Sequence, residues 1–224
     1  MRIKAERLAE LERKFSGGFD LAPPPTPSPI DSVSAPRLVF DGHRFQPRGT
    51  CRNFAHDYGQ RYEKALERFD SNDEITIVEM GVLRGVGLAI WCELFPKARV
   101  IGLDVDTAHF KANADVLVER GAFANGLPEL YQYDELSDSA RDVLHDILRG
   151  SAIDVFIDDA LHYTRAIVKA YTDVLPFMHP SGVYIVEDNS HTATAINNYV
   201  GRKIATQHAE LAIVDFYRLN GGHN

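Results

Sequence analysis

Residues 75–94 read ITIVEMGVLRGVGLAIWCEL, and the fold turns on this stretch. Ile75 to Val78 are β-branched and mostly apolar, which suits a strand buried on both faces. Glu79 and Met80 lead into Gly81, and glycines recur at Gly85 and Gly87. Leu88, Ala89, Trp91, Cys92 and Leu94 then suit a packed helix. The reading is a strand over 75–79, a glycine-rich turn and a helix over about 84–95. Glycines in such a turn let the backbone approach a ligand and adopt positive φ. The helix N-terminus that follows offers free N–H groups and the positive end of a dipole.

The spacing Gly81-x-x-x-Gly85-x-Gly87 is neither the G-x-G-x-x-G of a dinucleotide fold nor the G-x-x-x-x-G-K-[ST] of a P-loop. An acidic residue, Glu79, closes the strand two positions before the first glycine. A second strand, Arg99 to Leu103, ends in Asp104. A carboxylate at that tip is placed to accept hydrogen bonds from ribose hydroxyls. E-x-G-x-x-x-G-x-G followed by G-L-D at 102–104 resembles motif I and the acidic loop of class I S-adenosylmethionine-dependent methyltransferases. On the residues alone, other nucleotide-binding α/β proteins stay open.

The chain has 224 residues, enough for one α/β domain with an appendage and a sizeable core. Its net charge of −8, without a basic run interleaved with aromatics, argues against a nucleic-acid partner. A small-molecule substrate is expected instead. The two cysteines, Cys51 and Cys92, make neither a disulfide framework nor a zinc site. The N-terminal stretch MRIKAERLAELERKF is charged throughout, unlike a signal peptide. No apolar run approaches the length of a membrane span. A cytoplasmic location with no membrane partner is expected.

Residues 3–15 carry an apolar stripe of Ile3, Leu8, Leu11 and Phe15 and read as a helix. It could be a frayed terminal helix, a dimer contact or a flap over the site. Residues 17–37 form a proline-rich connector. The appendage is placed at 1–47 and the main domain at 48–224. Residues 51–69 read as helical, with Tyr58 and Tyr62 four apart on one face. Strands are then expected at 99–104, 129–133, 153–158 and 183–188, with helices near 107–120, 137–149 and 163–176. A further helix is possible over AINNYVGRKI, and 211–219 reads as one terminal strand. This alternation gives an α/β fold with a doubly wound, mostly parallel sheet. Ligands of such sheets bind beyond the carboxyl ends of the strands.

Two of those ends carry the chemistry. The fourth strand runs out as Ile157-Asp158-Asp159-Ala160-Leu161-His162, and the fifth as Val186-Glu187-Asp188-Asn189. In a 3-2-1-4-5 order these ends adjoin, about 4.8 Å apart. Asp159, Glu187 and Asp188 would converge there, and crowded carboxylates raise one another's pKa. A hard divalent cation such as Mg²⁺ resolves the crowding. Taken singly, each acid could equally be a solvated loop residue or a helix cap. His162 suits a general base beside such a site, with His191 as a rival and a surface role for either as the plain alternative.

D-D-x-x-H at 158–162 with E-D at 187–188 resembles the metal-dependent methyltransferases around macrocin O-methyltransferase and cephalosporin hydroxylase. Ala160-Leu161 stand where that group usually has Gly-Ser. The His56-x-Tyr58-x-x-x-Tyr62-Glu63 pattern is similar to the helix that precedes the core in the same group, without the D-K-G that usually follows. The resemblance covers roughly residues 48–218. It implies S-adenosylmethionine bound by Glu79, Gly81, Gly85, Asp104, Asp134, Asp158 and Tyr58. It also implies Mg²⁺ held by Asp159, Glu187 and Asp188, with His162 as base for O-methylation of a sugar or natural product. Homo-oligomers are usual in the group. A carboxylate or amine acceptor, a nicotinamide-dependent oxidoreductase and a non-catalytic nucleotide-binding protein remain the competing readings.

Overall fold

Alternating apolar strands and amphipathic helices build a sheet covered on both sides. The computed structural model describes residues 2–16 and 58–221. Its elements run α1 (Ala5–Ser16), α2 (Gly59–Ala65), β1 (Thr76–Met80), α3 (Val86–Leu94), β2 (Arg99–Asp104), α4 (Ala108–Glu119) and β3 (Glu129–Gln132). They continue α5 (Ala140–Leu148), β4 (Ile153–Asp158), α6 (Thr164–Val174), β5 (Met178–Val186), α7 (Thr192–Val200), β6 (Ala205–His208), β7 (Leu211–Asp215) and α8 (Phe216–Leu219). Among the described residues the strands form one seven-stranded sheet in the order β3-β2-β1-β4-β5-β7-β6. The first five are parallel, and β7 runs antiparallel to both β5 and β6. This is the expected doubly wound α/β sheet.

The two-residue period of a strand sorts the core. Ile77, Val155, Ile157, Val183 and Ile185 pack with Leu8, Leu11, Phe15, Tyr62 and Trp91 on one face. Val78, Ile101, Phe156, Tyr184 and Val186 pack with Leu144, Tyr171, Val174 and Ile196 on the other. Helix α1 is therefore docked, not frayed: Leu11 and Phe15 are fully buried. Its start is tied to α2, because Glu63 accepts from Lys4 Nζ at 2.7 Å and from the Ala5 amide at 3.0 Å. Arg7 reaches Glu93 of α3 at 2.9 Å.

Three boundaries differ from the sequence reading. β5 begins at Met178, before the Pro180-Ser181-Gly182 turn signal, because Arg68 holds that stretch through the Ser181 and Gly182 carbonyls at 2.8 and 3.0 Å. The terminal strand stops at Asp215, whose side chain accepts from the Arg218 amide and starts α8. Beside the one terminal strand read from the sequence lies a second, β6, which pairs with β7 from Ala205 to His208. The proline-rich connector, the domain boundary at 47/48, His56 and the first part of the 51–69 helix lie outside the described residues. No helix among the described residues is long and apolar enough to cross a membrane.

Candidate active site

The carboxyl ends of β1, β2, β3, β4 and β5 meet at one edge of the sheet. The glycine turn forms its floor. Gly81 takes φ +91°, and a Cβ there would lie 2.1 Å from the Asp159 carbonyl oxygen. The turn after β1 and the turn after β4 therefore touch backbone to backbone, which only glycine permits. Gly85 takes φ +85° at the N-cap of α3, and a Cβ there would strike the Phe110 ring at 2.3 Å. Both positions lie where the sequence placed a close-approach turn.

Asp104, at the tip of β2, is already engaged. Its Oδ2 accepts from the Val82 and Leu83 amides at 2.8 and 2.9 Å, and its Oδ1 from the Asp106 amide at 2.9 Å. The carboxylate thus braces the glycine turn. An ionised carboxylate has about four acceptor sites, and among the described residues three donors reach this one. Glu79 lies beneath, 2% exposed, and accepts from Trp91 Nε1 at 2.6 Å.

Beyond β3 the two adjacent acids part company. Asp134 is exposed and accepts from the Leu136 amide at 2.9 Å. Glu135 turns inward, and burial pushes its carboxyl above its usual range. Among the described residues its Oε1 has no hydrogen-bond partner. The sequence reading missed this residue. Asp158, at the end of β4, is also buried and accepts from the Tyr184 hydroxyl at 2.9 Å. Burial pushes its carboxyl up to about 7, with Glu135 and Glu187 adding to the effect.

The chain brings together Asp159, His162 and Asp188. Their ligand atoms all lie within 4.8 Å of one another. Asp159 leaves β4 with its amide bonded to the Met80 carbonyl at 2.8 Å. Asp188 leaves β5 at φ +56°, a left-handed conformation that aspartate tolerates better than most residues and that clusters at functional sites. His162 is exposed on the loop after β4, and its carbonyl accepts from Asn189 Nδ2 at 2.8 Å. That bond ties the β4 loop to the β5 loop. The rival His191 is exposed at the N-cap of α7 and outside this group.

Glu187, expected beside these acids, points to α2. Its Oε1 accepts from the buried Tyr62 hydroxyl, and the neighbouring Asp188 Oδ1 accepts from the Tyr58 hydroxyl at 2.9 Å. Tyr58, expected at a cofactor, thus stands beside the acidic group. The Tyr62 ring lies 5.4 Å from the Trp91 ring. One run of contacts therefore links Glu187, Tyr62, Trp91 and Glu79. The four-residue spacing of the two tyrosines was the only sign of it in the sequence.

The two carboxylates at this spacing fit a divalent cation, with the His162 imidazole beside them. A histidine within reach also suits proton removal from an acceptor.

A family described as a methyltransferase domain matches residues 78–189. The chain is 28% identical over 144 residues to an 8-demethyl-8-alpha-L-rhamnosyl tetracenomycin-C 2'-O-methyltransferase of Streptomyces olivaceus, a match covering 59% of this chain and 33% of that protein. Among solved structures, the MycE methyltransferase from the mycinamycin biosynthetic pathway, in complex with Mg, SAH and mycinamycin VI, superposes with a TM-score of 0.57 at 18% identity. That match covers 72% of this chain and 49% of MycE. A MycE complex with Mg and SAH gives 0.54 at 20% identity, over 72% and 50%. The likeness to MycE is one of fold. The chain spans a third of the curated relative and about half of MycE.

Proposed function

Since the chain belongs to the methyltransferase domain family, we propose that it moves a methyl group from S-adenosylmethionine to a hydroxyl of a small sugar or natural-product acceptor, with Mg²⁺ at the acidic group. The observation that carries this reading is the convergence of Asp159, His162 and Asp188 within 4.8 Å, beyond strand ends that share an edge with the glycine turn. The names of the similar proteins support it: one is a 2'-O-methyltransferase, and the other was solved with Mg and SAH.

The roles follow from position. Gly81, Gly85 and the start of α3 cradle the cofactor, over a turn held by Glu79 and Asp104. Asp104 accepts from a ribose hydroxyl. Asp134 bounds the adenine, and Asp158 shapes the floor between cofactor and metal. Asp159, Asp188 and Glu187 hold the cation, while Tyr58 closes the site from α2. When bound, the cofactor supplies an electrophilic methyl group and the cation supplies charge that favours a deprotonated hydroxyl. His162 takes the acceptor's proton on a ring nitrogen. The departing thioether is neutral and needs no acid, so positioning and deprotonation are what these residues contribute. Self-association into a homo-oligomer belongs to the same proposal.

The test is turnover of hydroxylated acceptors by wild type and His162→Ala. A general base supplies about 10²–10⁴-fold, so the variant should lose turnover on that scale and keep cofactor binding. Equal turnover by the two would remove His162 from this role.

A further inference from the structure

A second concave site lies beside this one. A groove of about 480 Å³ runs between α2 and the edge strands β6 and β7. That volume is in the range of small-molecule sites. Its apolar floor includes Ala65, Ile204 and Ile213, and Arg61, Lys64 and Lys203 line it. All three cations are exposed. Among the described residues none of them has a carboxylate partner; the nearby Arg218 instead pairs with Glu67 and Asp215. Asp215 also lines the groove but pairs with Arg68 and Arg218, so Arg61, Lys64 and Lys203 leave the groove net positive on a chain of net charge −8. They favour an anion there, and a guanidinium with two ammonium groups is a familiar phosphate-binding set.

Gln207 of β6 and Val186 of β5 both pair with Ala212 of β7, so the His208 end of the groove lies toward the carboxyl end of β5. Arg61 lies on α2 between Tyr58 and Tyr62, whose hydroxyls reach Asp188 and Glu187. His208 ends β6, and burial with the nearby Arg61 charge holds its imidazole below the usual range. The turn between β6 and β7 is fastened to the residue after Asp188. The Asn189 amide donates to the Glu210 carbonyl, and Gln207 Nε2 donates to the Asn189 carbonyl, each at 2.9 Å. The turn that bounds this end of the groove is thus held against the loop that carries Asp188.

Resting on the function proposed above, we propose that this groove binds a phosphate-bearing arm of the acceptor, so that the substrate is a phosphorylated or diphosphate-linked sugar rather than a neutral glycoside. The apolar floor would carry the uncharged body of that arm, and Arg61, Lys64 and Lys203 its phosphate oxygens.

Inorganic pyrophosphate, titrated calorimetrically in metal-free buffer, is the first probe. Without a metal it has no cation at the acidic group to bind. Wild type should bind it, more weakly as salt is raised. The double variant Lys64→Glu/Lys203→Glu should weaken that binding at least ~10-fold, since reversing two nearby charges removes attraction and adds repulsion. Binding of S-adenosylmethionine should not change between the two proteins. In turnover, wild type should prefer nucleoside diphosphate sugars to the matching neutral glycosides in kcat/KM, and the double variant should lose that preference. Pyrophosphate binding that the charge reversal leaves intact would overturn the proposal, as would a wild-type preference for neutral glycosides. An oligomer that dissociates on charge reversal, with pyrophosphate binding unaltered, would make the groove a contact between copies and also overturn it. Failure of S-adenosylmethionine to bind wild type, with charge-sensitive pyrophosphate binding retained, would locate the error in the methyl-transfer reading and leave the anion site standing.

Discussion

The Tyr58 hydroxyl donates to Asp188 Oδ1 at 2.9 Å, across 130 residues of sequence. Four residues on, Tyr62 makes the matching bond to Glu187. One face of the short helix α2 thus orients two adjacent carboxylates at the end of β5. Groups that orient metal ligands typically change affinity by 10–100-fold when removed. Tyr58→Phe and Tyr62→Phe should each weaken Mg²⁺ binding on about that scale, while S-adenosylmethionine binding without metal stays near wild type. Calorimetric titration of Mg²⁺ reads this, and unchanged affinity in both variants would show that α2 does not position the ligands.

Gly81→Ala should be among the most damaging small substitutions in the chain. The added methyl would sit 2.1 Å from the Asp159 carbonyl oxygen, at a backbone φ of +91°. Strain of this kind costs on the order of 1–3 kcal/mol before the clash is counted. Denaturant unfolding should show a loss at least that large, together with impaired cofactor binding. A variant as stable as wild type would mean that the two turns can separate at little cost.

Trp91→Phe should be felt at Glu79. The indole N–H donates to this buried carboxylate at 2.6 Å, and removing a donor to a buried charged group costs about 1–3 kcal/mol. The Tyr62 ring would keep an aromatic neighbour, so the expected signature is a drop in unfolding free energy without loss of Mg²⁺ binding. A variant within experimental error of wild type would remove the indole from the structural account.

Asp158 makes stability fall as pH rises. Its folded carboxyl is pushed from an ordinary 3.8 up to about 7, first of all by burial. Between about pH 4 and pH 7 the folded state therefore keeps a proton that the unfolded state has released, and stability declines with pH across that window. Asp158→Asn retains an oxygen for the Tyr184 hydroxyl and cannot ionise. The metal-free variant should show a flatter profile and be more stable than wild type at pH 8 by on the order of a few kcal/mol. Identical profiles would place the pH dependence elsewhere.

Four of the five parallel strands, β1, β2, β4 and β5, were legible because each carries an apolar run with β-branched residues that leads into an acid or a glycine. Asp104, Asp158 and Asp188 declared themselves by lying where periodicity breaks. β6 was not legible: Ala-Thr-Gln-His carries no apolar run, and its strand character comes from pairing with β7. The partners of Tyr58 and Tyr62 lie more than a hundred residues away, beyond the reach of local patterns. Glu135 was hidden for another reason. Two acids in succession gave no sign of which turns inward, although Tyr133 and Glu135 share the two-residue period and both are buried. Asp104 was found by its place at the strand tip, but its bonds to Val82 and Leu83 depend on how the glycine turn folds back over it.

The most direct measurement is calorimetric binding of S-adenosylmethionine, with and without Mg²⁺, to wild type, Asp104→Ala and Asp188→Ala. The account predicts that wild type binds the cofactor and that Asp104→Ala weakens it, by removing both the brace of the glycine turn and a ribose contact. It also predicts a further heat on adding Mg²⁺ to wild type, absent in Asp188→Ala. A wild-type protein that binds no S-adenosylmethionine under any of these conditions would contradict the central claim.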